Sequence, residues 1–579
     1  MGAFTGFCSR NLGFAIGRCE VKRRIAAPVT LTRQGHTCTL VFNGELYNAK
    51  ELKAQLKIQP KTQYDEECLL LSYMQDGPEF VQKVNGIFGA AIWDETKQTL
   101  FLFRDRIGAK PMFYTQKKET LFFASSIASL FQYPGVEPVL DENGLCEVFA
   151  LGPARTPGNG VFAGISEVLP GHYLSFCDGV RTEHCYWKLE SHSHEDSFEE
   201  TVEKTAWLLE DAVTRQMRCK ENEQIAALLS GGVDSSLVTA ICGENLQKRG
   251  KVLQTFSFDF EGNNQYFQAN AFQPSQDRPW VEKMTASCGS NHRYLECSNE
   301  QLVQYLDQAV EARCLPCMAD VESSMLYFCS RVAEHAQVVL TGECADEIFG
   351  GYPWFHKKEA FETNGFPWSS DQTVRQSLLS DEWVKKLQMQ EYAQSAYEQS
   401  VRETPVCPED SAQEKRRREI AYLNLKWFMA TLLDRMERTS FYWNLSARVP
   451  IADYRIIEYV WNVPWDMKCK DGIPKALLRC AGKGKVPDEV LWRKKSPYPK
   501  TYHPQYESLL AERFQREVLE DKNAPIREFL DRKKAERFLN SPKDYGKPWY
   551  GQLMAGPQMI AYMMQVNYWM EHYQIRIRL

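Results

Sequence analysis

Two short segments combine residue types that handle phosphate and carboxylate chemistry. The first is Leu229-Ser230-Gly231-Gly232-Val233-Asp234-Ser235-Ser236. An apolar run ends there, two glycines allow the backbone to turn tightly, and small hydroxyl residues open a helical pattern. Free N–H groups at a helix start carry partial positive charge and bind an anion. The hydroxyls of Ser230, Ser235 and Ser236 can donate to phosphate oxygens. Asp234 inside such a loop makes sense only with a bridging cation, most simply Mg²⁺. No G-x-x-x-x-G-K-[ST] occurs in the chain, so this is not a Walker loop. The plainer alternative is a tight turn capped by serine and aspartate. The second segment is Thr341-Gly342-Glu343-Cys344-Ala345-Asp346-Glu347, which follows Val338-Val-Leu340. Its spacing predicts Glu343, Asp346 and Glu347 on one face of a first helical turn. Carboxylates at the end of a parallel strand form a metal or amine site, although helix capping is the simpler use of them.

Both segments demand the same support. Ile225-Ala-Ala-Leu-Leu229 and Val338-Val-Leu340 are short apolar strands, each running straight into a glycine-containing turn and a helical pattern. That is the strand–loop–helix unit of a parallel α/β sheet. Helical patterns dominate from Phe198 onward. Residues 1–187 read instead as strand-rich, with β-branched and aromatic runs at Thr37–Phe42, Thr99–Phe103, Thr120–Ser125 and Tyr173–Phe176. Helical spacing of apolar residues recurs at Glu51–Leu56 and Glu66–Met74. Ser191–Glu200 is polar and lacks a periodic apolar face. The expected layout is therefore a first domain over 1–187, a linker over 188–200 and a second domain over 201–579. Phe267–Pro279 reads as a mobile polar loop. The Glu409–Arg418 charge run reads as a solvated helix face.

The string S-G-G-x-D-S at 230–235 resembles the pyrophosphate-binding signature of the ATP pyrophosphatase family, which cleaves ATP between its α and β phosphates. Thr341–Tyr352 is similar to the Ser-Gly-Glu-Gly-x-Asp-Glu-x-Phe-Gly-Gly-Tyr motif of asparagine synthetases, departing at Thr341 and Cys344. Ala447-Arg-Val-Pro-Ile-Ala-Asp453 and Lys475-Ala-Leu-Leu-Arg479 resemble later motifs of that family in the same order. The resemblance implies ATP-dependent amidation of aspartate through a β-aspartyl adenylate, releasing AMP and pyrophosphate. It assigns ATP and pyrophosphate to Leu229, Ser230, Gly231, Gly232, Asp234, Ser235, Ser257, Thr341 and Gly342. It assigns Mg²⁺ to Asp234 and Asp346. Catalytic roles fall to Lys475, which neutralises phosphate charge, and to Glu343, which faces the adenylate and orients or deprotonates ammonia. Where the family often carries Thr-Thr-x-Arg near the aspartate, this chain reads Asp320-Val-Glu-Ser-Ser324, without the arginine. That departure keeps a second expectation open: a related ligase that adenylates another carboxylate to close a β-lactam or macrolactam.

Phe42-Asn43-Gly44-Glu45-Leu46-Tyr47-Asn48 resembles the Asn-Gly-Glu-x-Tyr-Asn motif of class II glutamine amidotransferase domains. By that resemblance Asn43 and Gly44 form an oxyanion hole, and Arg18, Glu45 and Asp65 hold glutamine. As bare residues, Asn43-Gly44 is also a tight hairpin turn. Arg104-Asp105-Arg106-Ile-Gly108-Ala-Lys110-Pro111 matches a structural turn of the same family. The family's nucleophile is an N-terminal cysteine whose α-amine acts as base. Here the chain starts Met1-Gly2, and Cys8 and Cys19 are internal. The expectation is an Ntn-hydrolase-like αββα sandwich lacking its first strands, with roughly 40–50 residues missing ahead of Arg18. Nitrogen then comes from glutamine in a longer form, or from ammonia alone in the chain as written.

Composition narrows the partners. With 69 Lys+Arg against 75 Asp+Glu the net charge is −6, and no broad basic face for nucleic acid is expected. No apolar run approaches the ~18 residues of a membrane span. The start of the chain is not a secretory signal. The 18 cysteines are then expected to be mostly small buried hydrophobes in a reducing cytoplasm. Small-molecule substrates (aspartate, glutamine or ammonia, ATP) are the expected partners, and the resemblance implies a homodimer.

Overall fold

A computed structural model describes residues 3–9, 13–17, 27–220, 223–269, 273–369, 371, 373–540 and 548–579. The chain divides into two compact units. One comprises Met1–Gly144, Thr156–Leu189 and Arg576–Leu579, the other Leu145–Arg155 and Glu190–Ile575.

The first unit is built from two antiparallel sheets. One has six strands in the order Val180–Cys185, His172–Cys177, Thr99–Arg104, Gly86–Asp94, His36–Leu46, Val29–Arg33. The other has five, in the order Ser166–Glu167, Phe113–Lys117, Thr120–Ala124, Thr5–Ser9, Gly13–Gly17. The two-residue period of a strand sorts the side chains into layers. Leu40, Phe42, Ala90, Ile92, Phe101 and Phe103 pack with the helices Ala49–Gln55 and Asp65–Asp76. Their neighbours Val41, Ala91, Leu100 and Leu102 point the other way and meet Leu121 and Phe123 of the five-stranded sheet. The unit is thus a sandwich of two sheets with helices over the six-stranded one. The four runs expected as strands, at 37–42, 99–103, 120–125 and 173–176, fall on strands, and seven further strands among the described residues complete the two sheets.

The second unit is mostly helical around a five-stranded sheet. Its order is Asn291–Cys297, Gln254–Phe260, Ile225–Leu228, Val338–Leu340, Ser446–Arg448, and every pairing is parallel. The short central strands are apolar throughout, as strands covered on both faces must be. Ala226, Phe256 and Val339 pack with Met325, Cys329 and Val332 of the helix Ala319–Ala333 and with Met436 of the helix Ala430–Phe441. From Ile225–Leu228 the chain continues to Gln254–Phe260 on one side, whereas Val338–Leu340 lies on the other. The strand order therefore reverses between Ile225–Leu228 and Val338–Leu340, and a crevice opens beyond the carboxyl ends at such a point. The two chemically distinctive loops, 229–236 and 341–347, leave these two strands. Among the described residues no helix is long and apolar enough to cross a membrane.

Candidate functional site

Leu229 ends the central strand and its N–H donates to the Phe256 carbonyl at 2.8 Å. The chain then turns through Gly231, whose φ of +71° suits glycine, and Gly232 caps the helix Val233–Gln247. The hydroxyls brace the turn from inside: Ser230 N–H donates to Ser235 Oγ at 3.1 Å, and the two hydroxyl oxygens lie 3.0 Å apart. Ser257, on the neighbouring strand, donates its hydroxyl to the Leu229 carbonyl. Ser236 is fully buried. It serves the helix interior and not the loop, contrary to the reading that grouped it with Ser230 and Ser235.

The second loop presses against the first. A Cβ on Gly342 would lie 2.4 Å from the Ser235 nitrogen, so only glycine permits this approach. Thr341 joins the sheet through its N–H to the Arg448 carbonyl at 3.0 Å, and its Oγ1 accepts from Glu343 N–H at 3.3 Å. Cys344 then adopts a left-handed φ of +72°, and the helix Ala345–Phe349 starts only after it. Glu343 therefore precedes the helix, and the three carboxylates do not share one face. Each has a separate partner. Glu343 pairs with Arg435, Asp346 with Lys475 and Lys495, and Glu347 accepts from Tyr352 Oη at 2.6 Å.

Asp234 and Asp346, 112 residues apart in the chain, meet at one ammonium. Lys475 Nζ lies 2.7 Å from both oxygens of Asp234 and 2.8 Å from Asp346 Oδ1. Lys475 is 2% exposed and has a left-handed φ of +58°, a conformation that non-glycine residues seldom hold outside functional sites. Burial alone would lower the Lys475 ammonium, but Asp234 and Asp346 outweigh it and raise the pKa. Burial would likewise raise Asp346; Lys475 and Lys495 together hold it well below the usual carboxylate range. Asp234, desolvated and repelled by Asp346, moves upward despite Lys475.

These loops border a cavity of about 250 Å³. Leu229, Ser230, Asp234, Ser235, Ser257, Thr341, Gly342, Glu343 and Asp346 all line it. So do Arg435, Lys495 and Tyr498, which the sequence motifs did not single out. The Lys494-Lys495 pair before Ser-Pro-Tyr-Pro was a readable signal for a basic loop; Arg435, inside an ordinary charged helix, offered none. The Arg435 guanidinium lies 5.7 Å from the Tyr498 ring centre, and Tyr498 Oη is 3.1 Å from Ser324 Oγ. Glu343 Oε2 is buried in the cavity wall without a hydrogen-bond partner, and burial pushes its pKa up against the pull of Arg435. Asp320, at the position without the family's arginine, is buried and accepts from Gln558 Nε2 at 2.9 Å. Part of the Phe267–Pro279 segment packs onto this cavity, with Gln273 buried and held by Tyr502 Oη at 2.7 Å. That part is anchored, contrary to the expected mobile loop.

In the first unit, Asn43 and Gly44 lie inside the strand His36–Leu46, opposite Gly89 and Phe88. They are not a hairpin turn. Asn43 is 1% exposed with Oδ1 lacking a hydrogen-bond partner, and a Cβ on Gly44 would lie 2.1 Å from the Ile87 carbonyl oxygen. Asp65 Oδ2 accepts from Leu46 N–H at 3.0 Å, which ties the start of its helix to the residue after Glu45. Arg18 and Cys19 lie outside the described residues. Cys8 is buried in the five-stranded sheet, and burial pushes its thiol up to about 12. The Arg104–Pro111 segment is a self-braced turn. Asp105, fully buried, accepts from the N–H groups of Phe88, Ile107, Ala109 and Lys110 at 2.9–3.2 Å.

Residues 204–571 match the family model described as asparagine synthase, and residues 17–187 the model described as glutamine amidotransferase domain. A curated relative, asparagine synthetase (glutamine-hydrolyzing) 3 of Bacillus subtilis (strain 168), is 45% identical over 95% of this chain and 90% of its own length. Asparagine synthetase (glutamine-hydrolyzing) 1 of the same organism is 25% identical over 85% of this chain and 80% of its own. The enzyme of the same name from Cricetulus griseus is 26% identical over 79% and 71%.

Proposed function

The chain belongs to the asparagine synthase family, and from that premise we propose that it forms asparagine from aspartate, ATP and a nitrogen donor, glutamine or ammonia. The observation that carries this reading is the meeting of Asp234, Asp346 and Lys475 beside a cavity at the switch point of a parallel sheet. In this reading the turn 229–235 holds the departing pyrophosphate with its backbone N–H groups and the hydroxyls of Ser230 and Ser235. Two hard-oxygen carboxylates that already converge on one cation suit Mg²⁺ as well, so Asp234 and Asp346 would hold it. Mg²⁺ there supplies neutralising charge for the phosphates. Lys475 adds a second cation at the same place.

The aspartate side-chain carboxylate attacks the α-phosphorus, the bond to the bridging oxygen breaks, and pyrophosphate leaves with that electron pair. Ammonia then attacks the adenylate carbonyl and AMP departs. Glu343, with one oxygen fixed by Arg435 and the other unpartnered, accepts a hydrogen bond from ammonia and takes its proton. Arg435 contributes its guanidinium to the cavity wall, as Arg278 also does. It positions Glu343 and supplies positive charge that the Asp320–Ser324 stretch does not. In the first unit, Asn43 with Gly44, and Glu45 with Asp65 and Arg18, take the oxyanion and glutamine roles that the family motif implies. A homodimer and a cytoplasmic location complete the reading. The burial of most described cysteines suits a reducing compartment.

The test is release of AMP and pyrophosphate by the purified chain with Mg²⁺·ATP. Release that requires aspartate, and asparagine formed in step with it, is the expected result. Release driven by another carboxylate and not by aspartate overturns it. Running glutamine and ammonium in parallel identifies the nitrogen source.

A further inference from the structure

The Glu409–Arg418 run does not behave as a solvated face. Two of its arginines, Arg417 and Arg418, line a second cavity of about 190 Å³, well beyond the ~10–15 Å³ needed for one water. The aromatic walls are Phe355, Trp461 and Trp465. The floor is Lys468, 9% exposed. Among the described residues no carboxylate pairs with Lys468; its single recorded hydrogen bond is a long one, 3.5 Å, to the Trp461 carbonyl. Burial, and then the nearby Arg418, push this ammonium down to about 7. Glu414 pulls the other way without pairing with it, and an ammonium buried with no carboxylate in contact is expensive for the fold.

The other charges are unequally satisfied. Arg418 is saturated by Asp410 at 2.8 Å, by the Trp461 carbonyl and by Ser191. Among the described residues Arg417 has a single, stretched ion pair, with Glu414 at 3.6 Å, and its buried Nε has no hydrogen-bond partner. It stands 4.8 Å from the Trp465 ring centre. The Glu414 side chain is 39% exposed, and Glu409 is exposed. His194 is held by Thr201 Oγ1 at 2.8 Å, and burial lowers its pKa, so it adds no charge. The cavity is therefore lined by two incompletely satisfied cations, Lys468 and Arg417, by the partly exposed Glu414 beside Arg417, by Glu409, and by indole rings.

We propose that this cavity is a binding site for a free α-amino acid, with its carboxylate on Lys468 and Arg417, its ammonium towards Glu414 and Glu409, and its side chain between Trp461 and Trp465. It is separate from the cavity beside Asp234. The two share a wall, since Glu347 lines both, and Ile348 of the same short helix and Gly350, which ends that helix, line the second. That helix also carries Asp346. Occupancy would thus bear on the loop that holds Asp346 against Lys475 and Lys495.

The test uses the full chain with the standard L-amino acids as probes, offered singly without ATP and read by thermal stabilisation. At least one amino acid should stabilise the wild type, and Lys468→Met should weaken it about tenfold or more while leaving aspartate-dependent pyrophosphate release unchanged. Lys468→Arg should restore part of the binding. Titration calorimetry should show a heat that varies with the ionisation enthalpy of the buffer, because a carboxylate beside Lys468 draws a proton onto it, and Lys468→Met should abolish that variation. Equal stabilisation of wild type and Lys468→Met by every amino acid overturns the proposal. Stabilisation by acetate as strong as by any amino acid overturns it too, since an anion alone would then account for the site.

Discussion

Lys475 carries the heaviest demand on a single side chain. It must balance two buried carboxylates in the resting protein and meet phosphate oxygens during the reaction. Lys475→Met should lower aspartate-dependent pyrophosphate release about 10²–10³-fold, the range for losing one preorganised charge. It should also lower the thermal midpoint, because Asp234 and Asp346 are left facing each other. Glu343 is asked for something different, a step after pyrophosphate has gone. Glu343→Gln should keep aspartate-dependent pyrophosphate exchange near the wild-type rate while asparagine formation from ammonium falls about 10²–10⁴-fold. Loss of both together would place Glu343 in the adenylation step instead. The sign of its pH dependence follows from burial. The carboxylate must be ionised to take a proton, and its pKa is raised. With the rate of synthesis referred to the concentration of free NH3 at each pH, the remaining acid limb should therefore lie above the ~4.3 of an ordinary glutamate, and Glu343→Gln should remove it.

At the scale of elements, the site depends on how closely two loops approach. Gly342 lets the strand end at Leu340 pass against the start of the helix Val233–Gln247. Gly342→Ala must push these apart and should cost about 1–3 kcal/mol of stability, with weaker ATP binding; urea unfolding and nucleotide titration measure both. The elements themselves were legible. Ile225–Leu228 and Val338–Leu340 are short apolar runs ending in glycine-containing turns, and their shortness favours strands over buried helical segments. The start of the helix Ala345–Phe349 was not legible. A 0, 3, 4 spacing looks the same whether or not Cys344 takes the left-handed turn that starts the helix only after Glu343 and Cys344.

For the whole molecule, each unit has its own means of holding together. In the first unit the buried Asp105 gathers four backbone N–H groups into the turn that follows the strand Thr99–Arg104. Asp105→Ala leaves those donors unsatisfied and should destabilise that unit by about 3 kcal/mol or more. Ammonium-dependent asparagine formation by the second unit should persist. A loss of ammonium-dependent activity equal to the loss of stability would mean that the units do not act separately.

Periodicity and turn chemistry were enough to read the strand-rich first unit, the parallel second unit and the phosphate turn, because each is a local pattern with a local physical cause. The sandwich and the roles of Asp346 and Lys475 came from the order of motifs that resemble a family. The sequence could not show that Arg435 would fix Glu343, that Lys495 would join Lys475 at Asp346, or that Arg417 and Lys468 would face a cavity. Those pairings join residues 51 to 149 positions apart, and a charged residue in a helix looks the same in sequence whether it faces water or a buried partner. Only the packing of helices around the sheet decides which charges lose their water, and the loss of water gives each of them its particular chemistry.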